Sequence, residues 1–176
     1  MKLFIIILIC VSMYSCSGVS QAEYVRWVEN EENGIRKEKT IGDFTFNIQY
    51  CPADYLKIKQ GNRDKNINSI AQDEELDFSF IFRIVRPADL TDRSVFQLIN
   101  EFNFSLIQGE DTDRSVLALY ENNFNISPIE SFTVVFDSKP KNCDFRFVYD
   151  GLALGTGPVM FTFKQEDINR IPKPSN

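Results

Sequence analysis

Residues 76–85, LDFSFIFRIV, decide the fold class: Phe78, Phe80, Phe82 and Ile84 occupy every second position. A period of two places those side chains on one face of an extended chain, and aromatic and branched residues suit a pleated surface. The stretch predicts a central strand, stopped by Pro87. Upstream, Phe44, Phe46 and Ile48 alternate with Thr45, Asn47 and Gln49, which predicts a half-buried strand over about 43–50 that ends at Pro52. Downstream, 130–136, 143–149 and 159–163 read the same way, separated by 138–142 and the glycine-rich 151–158. Phe102, Phe104 and Leu106 alternate before a turn at 109–113, after which 116–123 is expected to return as their partner strand. Short strands at regular spacing with turn signals between them indicate an antiparallel β-sandwich or partly open barrel.

Helical signals are fewer, and one or two short helices are expected. Thr91 or Asp92 can cap a helix in which Val95, Leu98, Ile99 and Phe102 recur at helical spacing. Pro52 to Gln60 suits a short helix with Gly61 past its end, and the tail after Lys164 adds one turn before Pro172 and Pro174. Near the start, Tyr24, Arg26 and Val28 alternate with Val25, Trp27 and Glu29, which reads as a first strand or an approach to one. Asn33-Gly34 then supplies a turn and 35–40 a polar strand, together a hairpin. Residues 61–75 are polar and charged and read as a surface loop.

The chain has 176 residues, 16 of them phenylalanine and 6 tyrosine, enough aromatic volume to fill the core of a single β-domain. A filled core is the expected use of these rings, ahead of a ligand-stacking surface. The net charge is −6 and no lysine-rich or arginine-rich run occurs, so nucleic acid is not an expected partner. Histidine is absent. That removes Ser-His-Asp and Cys-His catalysis, histidine-ligated zinc and the usual neutral-pH proton shuttle.

The first sixteen residues carry an address. Lys2 precedes the apolar run 3–11, which has the length of a signal-peptide core and about half the length a membrane-spanning helix needs. Met13, Tyr14, Ser15 and Cys16 follow, with small Ser15 next to the cysteine. This leader resembles that of bacterial lipoproteins. The resemblance implies a signal peptide over 1–15, a diacylglyceryl thioether on Cys16 as the mature N-terminus and a lipidated tether over 16–22, which leaves 23–176 for the single β-rich domain that length and strand patterning predict. It also implies a location at the cell envelope, and Ser17, standing where an aspartate would mark retention at the inner membrane, favours the outer one. Simple export is the competing reading: Ser20, Gln21 and Ala22 present small residues to a general signal peptidase, which would leave a mature chain beginning at Glu23.

Once Cys10 leaves with the leader and Cys16 carries lipid, Cys51 and Cys143 remain. An exported chain permits a disulfide between them, while two separate thiols are the default. Other groups have plain readings beside chemical ones. Asp73, Glu74, Glu75 and Asp77 form a solvated face more readily than a carboxylate pair for glycoside cleavage. Glu110, Asp111 and Asp113 offer calcium-type oxygens but lack the frame of an EF-hand, and an acidic hairpin turn explains them. Gly155, Thr156, Gly157 and Pro158 lack the lysine and the following helix of a phosphate loop. The pentapeptide TDRSV occurs at 91–95 and again at 112–116, too few copies for a stacked repeat.

These observations predict a non-catalytic binding or scaffolding module without cofactor or metal. It is held to a bilayer through an acylated Cys16 and presents a sheet edge or loop surface to an envelope protein. Two other readings stay open: a carboxylate-dependent carbohydrate or peptidoglycan enzyme, and a small-ligand carrier with an aromatic pocket. Convergent buried carboxylates would favour the enzyme, a deep apolar cavity the carrier, and a filled core with an exposed apolar patch the scaffold.

Overall fold

A computed structural model describes residues 18–61, 78–90, 92–123, 126–138 and 141–175. In chain order the strands are β1 (Arg36–Ile41), β2 (Phe44–Tyr50), β3 (Phe78–Val85), β4 (Phe104–Gln108), β5 (Asp111–Arg114), β6 (Leu117–Glu121), β7 (Ile129–Phe136), β8 (Phe145–Tyr149) and β9 (Val159–Phe163). They form a five-stranded sheet ordered β1-β2-β3-β7-β6 and a four-stranded sheet ordered β5-β4-β8-β9, antiparallel throughout. Neither sheet closes on itself, so the molecule is a β-sandwich rather than a barrel.

The alternating phenylalanines of β3 hold the layers together. Phe82 lies between Ile48 of β2 and Phe132 of β7, and its ring centroid is 5.5 Å from Phe104 and 5.3 Å from Tyr149 on the facing sheet. Phe80 likewise reaches Phe147 at 5.1 Å and Phe163 at 5.6 Å. Both side chains are fully buried, and tilted rings at this spacing add to the free energy of burial itself. Register defines the two ends of the sandwich. Tyr50, Phe78, Phe136, Phe145 and Phe163 lie at one end, while Phe44, Val85, Ile129, Tyr149 and Val159 lie at the other.

Four short α-helices occur among the described residues, where one or two were expected: α1 (Gln21–Glu29), α2 (Ala53–Gly61), α3 (Ser94–Gln97) and α4 (Gln165–Asn169). The segment read as a first strand is α1. Its cap is reciprocal: Glu23 N donates to Ser20 Oγ at 3.3 Å, and Ser20 N donates to Glu23 Oε2 at 3.0 Å. Tyr24 and Val28 are buried on one face of this helix. Residues four apart share a face in a helix and in a strand alike, so the buried pair alone does not separate the two readings.

Residues 18–22, assigned to the tether, belong to the folded unit. Val19 N donates to Lys173 O at 3.0 Å, Ser175 N donates to Val19 O at 2.8 Å, and Ser20 caps α1. The hairpin expected around Asn33-Gly34 is instead a 3-10 turn over Glu31–Asn33, with Gly34 at φ 78°. The helix after Asp92 is a single turn, and the turn expected at 109–113 contains β5. β6 does not return to β4. Ser115 N bonds to Phe104 O in the four-stranded sheet, whereas Val116 N bonds to Val135 O in the five-stranded one, so the chain changes sheets between two adjacent residues.

Candidate functional site

The most elaborate polar site lies at the Val85 end and is built around Glu130. β7 alternates Glu130, Phe132, Val134 and Phe136 on its inward face, so the register that buries the apolar residues also buries a carboxylate completely. Arg93 Nη2 donates to Glu130 Oε2, and the Tyr120 hydroxyl donates to the same oxygen at 2.6 Å. Arg86 Nε stands 3.3 Å from Oε1, while Arg86 Nη1 donates to Leu90 O at 2.8 Å. Arg93 Nη2 also donates to Tyr120 Oη at 3.0 Å and to Asn123 Oδ1 at 2.8 Å.

These contacts shift the titrating groups in consistent directions. Arg93 is raised chiefly by its hydrogen bond to Glu130, and Tyr120 is raised by burial and then by Glu130. A catalytic carboxylate needs a lone pair facing substrate. Glu130 Oε2 accepts from Arg93 and Tyr120, and Oε1 is ion-paired with Arg86 without a hydrogen bond, so the arrangement ties the segment before α3 and the end of β6 to β7. The sequence reading missed this group, although a glutamate on the inward register of an aromatic strand is itself a signal that a buried partner exists.

The acidic turn has internal partners. Asp111 pairs with Lys141, and Asp113 Oδ2 accepts from Ser138 Oγ at 2.9 Å. Both carboxylates line an open cleft of about 370 Å³ with Gln108, Asp137, Ser138 and Lys141, and Glu110 is exposed in the β4–β5 turn. Among the described residues no three histidine, cysteine, aspartate or glutamate side chains converge as a metal site. In the 151–158 loop, Gly151 adopts φ 69°, and a Cβ there would stand 1.9 Å from Gly157 O, which accounts for that glycine by close backbone packing.

Cys51 and Cys143 are free thiols, with no bridge between them. Cys51 is buried, burial pushes its thiol up to about 12, and Sγ donates to Gln49 O at 3.6 Å; Cys143 is half-buried. Cys16 and the group Asp73, Glu74, Glu75 and Asp77 lie outside the described residues.

The sandwich edges differ in chemistry. β1 carries Arg36, Lys37, Glu38 and Lys39, and β5 carries Asp111, Asp113 and Arg114, charges of the kind that discourage pairing with another chain, whereas the β9 edge is uncharged and turns Met160 and Thr162 outward. β6 has a sheet neighbour only on its β7 side and exposes Leu117 and Leu119 at 48% and 56%, next to Val116 at 59%. Among the described residues no helix is long and apolar enough to cross a membrane. The chain matches no family model, no curated protein and no solved structure.

Proposed function

We propose that this chain is a non-catalytic binding or scaffolding lipoprotein of the bacterial cell envelope, anchored through lipid on Cys16, that holds a protein partner along β6. The observation that carries the reading is the pairing of a core filled with interlocking aromatic rings with an edge strand, β6, that exposes Leu117 and Leu119 beside Val116. An extended partner segment added to β6 would gain main-chain hydrogen bonds, and its side chains would cover Leu117 and Leu119. The carboxylates favour this reading over an enzyme, because Glu130, Asp111 and Asp113 each already have a protein partner.

The N-terminal fold supports anchoring at Cys16 over simple export. Cleavage before Glu23 would remove Val19, its pairing with the C-terminal segment, the Ser20 cap and the first residues of α1. Cleavage before Cys16 keeps all of them.

A photo-crosslinking residue at Leu119, in cells producing the full chain, tests the partner surface. A discrete adduct from position 119, absent from a matched probe at Lys39 on β1, is the expected result. Leu119→Lys should abolish capture by a probe at Leu117 while changing stability by no more than about 0.5 kcal/mol, as is usual for an exposed position. Equal adducts from both edges would remove β6 as the binding surface.

A further inference from the structure

This fold closes almost immediately after the cysteine. Val19 is clamped on both sides by the C-terminal segment, forming a parallel bridge with Pro174. Gly18 is packed so tightly that a Cβ there would meet Lys173 O at 2.8 Å and Ser175 N at 2.9 Å. Three residue steps separate Cys16 from Val19, and whatever path they take they span at most about 11 Å.

Both sides of the clamp lead back to the same end of the sandwich. Tyr24, one helical turn beyond the Ser20 cap, is buried, and α1 packs against α2, the helix that follows β2 at the Phe163 end, where the Tyr55 hydroxyl donates to Glu29 Oε1 at 2.9 Å. On the other side, Arg170 ends α4, which begins two residues after Phe163, and four residues carry the chain from there to Pro174. From this geometry we infer that the anchored domain sits upright, with its Phe163 end, α1 start and C-terminal segment apposed to the lipid headgroups. The β1–β2 turn and the Glu130 site then point away, about 26 Å further out along an eight-residue strand. The net charge, −6 for the full sequence and −7 once Lys2 leaves with the leader, provides no general attraction to an anionic bilayer, so the short clamped connection sets the orientation rather than surface charge. The inference rests on lipidation of Cys16.

The test uses the mature lipidated chain in phosphatidylethanolamine–phosphatidylglycerol vesicles containing a headgroup spin-labelled lipid. A fluorophore is placed by Lys173→Cys or by Asp43→Cys, each in a Cys143→Ser background with buried Cys51 left in place, and intact mass is recorded in parallel. Quenching at least five-fold stronger at 173 than at 43 is expected, and inserting twenty Gly/Ser residues between Ser17 and Gly18 should bring the two values together. A lipidated chain whose two probes quench alike would overturn the orientation alone, as would an insertion without effect. A mass without lipid would overturn the anchor and the orientation with it.

Discussion

Glu130 shows how one side chain constrains two distant segments. Its carboxylate is fully buried, and Arg86, Arg93 and Tyr120 converge on it from β3's end, the approach to α3 and β6. Taking an ion pair out of water is costly, and removing one member leaves the remaining charges buried without compensation. Glu130→Gln should therefore lower stability by about 3 kcal/mol or more, read from urea melts. A triple variant, Glu130→Leu with Arg86→Met and Arg93→Leu, should recover much of that loss, because matched apolar replacements avoid the desolvation penalty. A loss below about 1 kcal/mol in the single variant would show that Arg86 and Arg93 find adequate partners without it. Arg93 also illustrates the reach of context over local sequence. Within the repeated pentapeptide, Arg93 enters α3 and bonds Glu130, whereas Arg114 lies exposed on β5.

The strands were legible because aromatic alternation has a physical consequence. Phe78, Phe80, Phe82 and Ile84 had to share a face, and that face became the core. β9 spans the residues its alternation indicated, and β2 and β7 differ from their expected limits by one residue. α1 reads as a strand from its hydrophobic pattern because that pattern fits both periods, while the signature that separates them, Ser20 followed three residues later by Glu23, falls in a stretch that also suits a tether and a cleavage site. The switch of sheets at Ser115-Val116 left no local trace, since strand pairing is settled by contacts distant in sequence. The same holds for the Glu130 site, whose partners lie on other elements and could not be matched from β7 alone. For α1, the cap itself can be measured. Ser20→Ala should cost about 1 kcal/mol in a thermal melt of the chain without its leader. A shift of that size would establish that residue 20 is folded structure; no shift would leave the helix start as slack tether.

The sandwich as a whole joins a rigid aromatic interior to two specialised borders. One is the start of the chain, stitched to its end by Val19, Lys173 and Ser175. The other is β6, an edge strand that exposes Leu117 and Leu119. A domain clamped so close to Cys16 would present β6 at a defined height above a bilayer, which suits a scaffold better than a freely diffusing carrier. Everything in that reading depends on where the mature chain begins and what its first residue carries. Intact mass and N-terminal fragmentation of the protein purified from membranes test it most directly. An N-terminal Cys16 bearing diacylglyceryl is expected, and an unmodified chain beginning at Glu23 would contradict it.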